Sequence, residues 1–271
     1  MTEPVLLVLD YPGRRPEARV SDLRLEEAGY DVRYLMQPPL PRGASVADYT
    51  AEALATAGPD NDAAHAVLAY CGASALGQEV ALRIGCPRLL IFNGELCTPQ
   101  VVGTEYRALL ESVTGEPVAL PDWWDTDLLA EHSGDFLQRC ESHLREHVRR
   151  SLAEQAGGEL DDQDLQDAEE ALAPLLDGFL DWLAYLAASH RTDYPDFDAE
   201  VISFLSQDQP AVEPWPGARA TETVRIATTR DDLLADPTTR RLVLSALDGS
   251  GPDDAPAPAP ARPDPFDGGS R

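Results

Sequence analysis

Residues 65–77, HAVLAYCGASALG, decide how the rest of the chain is read. An apolar run from Ala66 to Tyr70 stops at Cys71-Gly72-Ala73, after which Leu76, Val80 and Ile84 fall on one face of a helical pattern. Strand, sharp turn and helix is the layout of a nucleophile elbow, where the nucleophile occupies a strained backbone position with its side chain exposed. Such a turn needs small neighbours, because strand and helix pack close behind it. Here Ala69 and Ala73 stand where G-x-S-x-G has its glycines, and Cys71 stands for the serine.

On the N-terminal side, Val5-Leu6-Leu7-Val8-Leu9 is a short apolar strand candidate that ends at the turn cluster Asp10-Tyr11-Pro12-Gly13. Ser21-Asp22-Leu23-Arg24 predicts a helix that ends at Gly29, and residues 31–36 form the next strand candidate. Pro38, Pro39 and Pro41 force a loop. Ser45, followed three residues later by Asp48, has the form of an N-cap and predicts a helix over residues 46–57. Beyond the elbow helix, residues 88–93 give a further buried strand. Strands separated by helical segments imply a parallel sheet with right-handed crossovers.

Residues 103–190 show helical periodicity throughout, with Leu137, Leu144, Val148 and Leu152 on one apolar face and Leu172, Leu176, Phe179 and Leu183 on another. They read as a helical insertion over the sheet edge. The acidic run at 159–170 reads as a solvated face. Strand signals return at 200–205 and 224–227, and Asp236-Pro237 starts a last helix to Leu247. The expected organisation is one α/β domain over residues 1–248. Its tail, 249–271, is rich in Pro, Ala, Gly and Asp and cannot bury enough apolar surface to fold.

A formal charge of -27 argues against a nucleic-acid surface, which needs clustered cations. Every basic side chain is Arg, so Schiff-base and lysine-base chemistry are excluded. Cys71, Cys86, Cys97 and Cys140 lack close-paired metal spacing, and residues 5–9 are too short an apolar run for a secretory signal. A cytoplasmic protein with reduced thiols, no membrane association and no metal is the expectation.

The order of elements resembles the thioesterase domains and free-standing thioesterases of nonribosomal peptide and polyketide synthases, which have the α/β-hydrolase fold, across roughly residues 4–247. Leu9-Asp10-Tyr11-Pro12-Gly13 resembles their proline-glycine loop after the first strand, and Arg33 to Pro39 resembles the segment before their next helix. Leu68-Ala69-Tyr70-Cys71-Gly72 falls where they carry the glycine-x-serine elbow, and the helical insertion corresponds to their lid. Residues 229–237, TRDDLLADP, resemble the segment that normally carries the catalytic histidine.

The resemblance implies attack by the elbow nucleophile on an acyl or peptidyl thioester held on the phosphopantetheine arm of a carrier protein, with release to water, an internal nucleophile or another acceptor. Cys71 is then the nucleophile, with the backbone N–H groups of Gly72 and of the loop at Gly13 as oxyanion donors. The acid has two candidate positions, Asn93 after the strand that follows the elbow and Asp208 after a later strand. Arg230 occupies the expected histidine position, and no histidine follows His190. A guanidinium cannot accept a proton from a thiol, though its charge can depress a thiol pKa. Structural readings stand beside these: a buried cysteine as a small hydrophobe, Asp208 as a turn cap, Asn93 as a partner for backbone at a strand end.

His143-Leu144-Arg145-Glu146-His147 fits H-x-x-E-H, but zinc requires a third ligand and an apolar surround, whereas this helix is rich in arginine. Arg139, Arg145 and Arg149 form a basic island suited to an acidic carrier protein or a pantetheine phosphate. Two functions follow. One is an acyl-transfer enzyme, a cyclase among its variants, using Cys71 and needing no cofactor of its own. The other is a degenerate relative that binds a carrier protein or acyl ligand without turnover.

Overall fold

The computed structural model describes residues 3–13, 15–58, 61–155, 162–191 and 193–249. The expected tail from 250 onward and part of the acidic run, 156–161, lie outside the described residues. Strands β1 (Val5–Leu9), β2 (Asp31–Tyr34), β3 (Ala66–Tyr70), β4 (Arg88–Phe92), β5 (Glu200–Leu205) and β6 (Thr221–Arg225) form one parallel sheet. Their spatial order is β2-β1-β3-β4-β5-β6. The strand carrying the elbow is therefore interior, flanked by β1 and β4.

Both faces of the sheet are covered, which is why its central strands read as continuous apolar runs. Alternate residues go to opposite cores. Leu7, Leu9, Val67, Ala69, Leu89 and Ile91 share one cluster with the lid helices. Leu6, Val8, Leu68, Leu90, Phe92 and Phe204 share the other with the C-terminal helix. This is an α/β-hydrolase-like architecture, as the resemblance implied.

The helices begin where side chains can satisfy free N–H groups. Ser45 Oγ accepts from Asp48 N at 3.1 Å at the start of α1 (Val46–Thr56). Helix α2 (Ser74–Ile84) follows the elbow and ends at Gly85, whose φ is 63°. Thr98 caps α3 (Pro99–Thr114), with Pro99 in the first turn where it loses no hydrogen bond. Then come α4 (Thr126–Glu131), α5 (Ser133–Gln155) and α6 (Asp162–Ser189), and after the sheet resumes, α7 (Pro237–Leu247), capped by Asp236.

Beyond shifts of one or two residues at element ends, three features differ from expectation. Residues 21–28 form two short 3-10 turns, Val20–Leu23 and Glu26–Ala28, because Arg24 between them takes a left-handed φ of 49° that no helix can continue. The last strand is Thr221–Arg225 rather than 224–227: it is a half-exposed edge strand, so its start is polar and escapes an apolar pattern. The helical block begins at Pro99, before the expected 103. Its long helix α6 contains a stretch, Glu170–Ser189, apolar and long enough to cross a membrane, and here that helix packs against α1, α2, α3 and α5.

Candidate active site

The elbow exists because its backbone is held. Cys71 has φ 55°, a left-handed conformation costing a non-glycine residue about 1–3 kcal/mol. Its carbonyl accepts the buried Ser74 hydroxyl at 2.6 Å and the Glu95 N–H at 3.4 Å. Behind the turn, α2 presses onto β3 so closely that a Cβ on Gly77 would lie 2.7 Å from Ala69 Cβ. The small-residue pattern of the sequence is this contact.

Strand β4 lies beside β3 with Phe92 opposite Tyr70, so residues just past Phe92 arrive next to Cys71. Asn93, with φ 46°, turns the chain, and Glu95 follows with its side chain at the thiol: Cys71 Sγ donates to Glu95 Oε2 at 3.5 Å. Arg230 reaches the same sulfur, Nη2 to Sγ 3.1 Å. Arg230 Nη1 also binds Glu95 Oε1 at 2.5 Å, and its Nε lies 3.4 Å from Glu17 Oε1. Gln209 Nε2 donates to Glu95 Oε1 at 3.1 Å, while its Oε1 accepts from Arg230 at 3.3 Å. Thiol, carboxylate, guanidinium and amide thus close one hydrogen-bonded ring.

Burial, reinforced by the Glu95 carboxylate, pushes the Cys71 thiol up to about 11 against the opposing pull of Arg230. Burial also disfavours the charged form of Glu95, but its contacts with Arg230 and Gln209 outweigh that and hold it below its ordinary value. Arg230 is pushed upward, since its bond to Glu95 and its proximity to Cys71 outweigh desolvation. At neutral pH the resting site is therefore a neutral thiol between a carboxylate and a guanidinium. The thiol proton has a positioned acceptor, and in the resting site its transfer runs uphill.

Of the residues singled out from sequence, Cys71 and Arg230 come together, and Gly13 lines the same pocket. The carbonyls of Tyr11, Pro12 and Gly13 are clamped by Arg19, which fixes the loop's orientation. Gly72 sits under Tyr185 of α6: a Cβ there would lie 3.0 Å from the Tyr185 hydroxyl. Burial pushes that phenol well above its ordinary range, so it remains a donor. Asn93 is wholly buried, and its Oδ1 accepts from Ser206 N at 2.9 Å and from the Ser206 hydroxyl at 3.2 Å, joining the ends of β4 and β5. Asp208 is exposed and meets Gln207 at 3.3 Å, and the adjacent Gln209 points inward in its place.

Sequence reasoning missed Glu95 as the carboxylate of the site. No histidine takes part. His190 Nδ1 is 3.0 Å from Cys97 O, His65 Nε2 is 2.7 Å from Leu247 O, His143 Nδ1 is 2.8 Å from the Tyr106 hydroxyl, and His132 is exposed. His143 and His147 do share a face of α5, with rings 5.7 Å apart, but Arg150 Nη2 lies 2.5 Å from His147 Nδ1. Among the described residues no group of three or more His, Cys, Asp or Glu side chains is placed to hold a metal. Arg145 pairs with Glu141 one turn away, and Arg139 lies beside His143 and Glu146 in a separate surface groove.

Above Cys71 opens a cavity of about 650 Å³. Its aromatic wall is Tyr11, Phe179, Trp182 and Tyr185, with Leu109 and Leu175 extending it. Tyr11 packs against both Trp182 and Tyr185, at ring separations of 4.7 and 4.8 Å. Most of the wall belongs to α6, which Arg42 ties to the body by bonds to Asp181 at 2.7 Å and Asp177 at 3.2 Å. A thiol at the floor of an apolar pocket, with a proton acceptor and a fixed cation beside it, can exchange acyl groups or hold an acyl ligand.

No family model matches the sequence, and no curated protein matches it. Among solved structures, the chain is similar to holo-AB3403, a four-domain nonribosomal peptide synthetase bound to AMP and glycine. The TM-score is 0.52 at 14% identity, over 91% of this chain and 19% of that one. RedJ, a thioesterase from the prodiginine biosynthetic pathway in Streptomyces coelicolor, is 20% identical over 90% of this chain and 84% of its own, with a TM-score of 0.44. An epoxide hydrolase of Bacillus megaterium is 13% identical over 92% and 94%, with a TM-score of 0.45. At 14% identity the first likeness is one of fold, and the chain spans about a fifth of that synthetase.

Proposed function

We propose that this chain is a cysteine-dependent acyl-transfer protein that accepts an acyl or peptidyl group from a carrier-protein thioester in natural-product assembly. The observation that carries the reading is Cys71 Sγ, set on a left-handed elbow at the floor of the apolar cavity and bonded to both Glu95 and Arg230. The sulfur attacks the thioester carbonyl carbon, the bond from that carbon to the pantetheine sulfur breaks, and a Cys71 thioester forms. The thiol proton passes to Glu95 and from it to the departing pantetheine thiolate. One thioester replaces another, so the exchange is close to thermoneutral.

Arg230 keeps its proton throughout and steadies the thiolate as it forms. The carbonyl oxygen is received by backbone N–H groups at Gly72 and in the loop at Gly13, joined by the Tyr185 hydroxyl, which stands over Gly72. Release then goes to water or to an acceptor, including a nucleophile within the bound chain. Arg139, Arg145 and Arg149 on α5 are the proposed contacts for the carrier protein. The test is incubation with an acylated carrier followed by intact mass. A stoichiometric acyl adduct, absent in Cys71→Ala, is the expected outcome, and a wild-type protein that never gains acyl mass and never turns over overturns the reading.

A second reading, a thioesterase-like binder without turnover, is favoured by one observation: the thiol is raised and the carboxylate lowered, with no histidine to bridge the gap. It predicts carrier or acyl-ligand binding that survives Cys71→Ala and is weakened by Arg139→Glu.

A further inference from the structure

We infer that the pocket over Cys71 selects acyl groups carrying a cationic nitrogen, and that Glu105 reads that charge; this deepens the acyl-transfer reading and rests on it. Of the charged side chains that line the pocket, all but one have an ion-pair partner among the described residues. Arg15 Nη1 pairs with Asp10 at 2.6 Å, and Arg230 pairs with Glu95 and Glu17. On α6, Asp177 and Asp181 both pair with Arg42. Glu105, projecting from α3 into the same pocket, forms no ion pair among the described residues. Its Oε2 instead accepts the Trp182 indole N–H at 3.2 Å.

That bond joins the unmatched carboxylate to the aromatic wall. Trp182 stacks on Tyr185 at 5.1 Å and meets Tyr11 at 4.7 Å, and ring faces with a carboxylate alongside are the recognition chemistry of an ammonium group. A neutral acyl chain that displaced water here would leave Glu105 desolvated and unpaired, and an anionic chain would add repulsion. The net charge of -27 acts with the same sign at longer range. The selected class is therefore an amine-bearing acyl thioester with an aromatic or apolar body, its thioester at Cys71 and its ammonium toward Glu105.

The test uses phenylacetyl thioesters of N-acetylcysteamine with a para aminomethyl, ethyl or carboxymethyl group, loaded onto the full chain and followed by intact mass. The cationic member is expected to load about tenfold faster than the neutral one, with the anionic member slowest. Glu105→Gln retains an oxygen for the Trp182 N–H and is expected to bring all three within about twofold. Calorimetric titration of Cys71→Ala with the matching primary amides reads the same preference without any transfer. Equal loading and equal binding across the series, or a preference unchanged by Glu105→Gln, overturns the role of Glu105. Selective binding of the cationic amide, with no acyl adduct on wild type from any thioester, removes the transfer reading and leaves charge selection standing. Absence of both binding and loading overturns the two together.

Discussion

Replacing Glu95 with Gln should make Cys71 more reactive as a thiol and less effective in acyl transfer. The carboxylate lies 3.5 Å from Sγ, where a unit charge at an effective dielectric near 20 contributes about 5 kcal/mol against the thiolate. Glu95 is 43% exposed, so solvent screening removes about half of that, leaving a shift of about 2 pH units. The substitution also frees Arg230 from its strongest partner, 3.1 Å from the sulfur, which acts in the same direction. The thiol should fall from about 11 to about 9. The assay is the pH dependence of iodoacetamide alkylation, read on the Cys71 peptide. At pH 8 the thiolate fraction rises about a hundredfold, and because nucleophilicity falls with basicity the net rate gain is about tenfold. Carrier-dependent acyl loading should meanwhile drop, since the proton acceptor is gone. An alkylation midpoint equal to or above that of wild type would refute the electrostatic account. Arg230→Gln, which removes the lowering charge, should move the midpoint the other way.

Gly77→Ala should destabilise the protein by about 1–3 kcal/mol in urea unfolding, because the new methyl meets Ala69 Cβ at 2.7 Å, and Ala69→Gly should recover part of the loss. Cys71 and Cys97, pushed by burial to about 11 and about 12, favour the fold while protonated; that contribution is whole below about pH 9 and is lost as pH rises through 11 to 12. Thermal melts should accordingly fall above pH 9, more shallowly in Cys71→Ala, and a flat profile would contradict the burial of these thiols. Arg42→Ala removes two half-exposed ion pairs worth less than about 1 kcal/mol each, so global stability should barely change while amide exchange in α6 near residues 177–181 accelerates.

The sheet was legible because strands buried on both faces announce themselves as apolar runs, and the elbow because its turn must be built from small residues. The polar first half of the edge strand β6 carried neither signal, and the break at Arg24 rests on one backbone angle that no residue type dictates. At the site, Cys71 and Arg230 could be found by position along the chain. Glu95 could not, because it belongs to no motif and reaches the thiol only through the parallel pairing of β3 with β4. A usable clue existed: in a parallel pair with Tyr70 opposite Phe92, the residues following Phe92 come beside Cys71. Asp208 and Gln209 differ by one position at a strand end, and only the turn, whose carbonyls are gathered by Arg225, sets which of them faces inward.

The interlock of Gly77 with Ala69 divides the cavity into two mechanical parts. Its floor is fused to the centre of the sheet, so the sulfur is a fixed datum against which any bound chain is measured. Its wall is mostly one helix, α6, which carries Pro174 and Gly178 on the pocket side and is tied to the body by Arg42, with Tyr11 and Leu109 completing it. A longer or bulkier acyl chain should therefore be met by movement of α6 rather than of the floor. In a series of bound ligands, the displacement of that helix should scale with ligand size while the elbow stays in register, and because Tyr185 rides on the same helix, chains that displace it should also draw its hydroxyl away from Gly72.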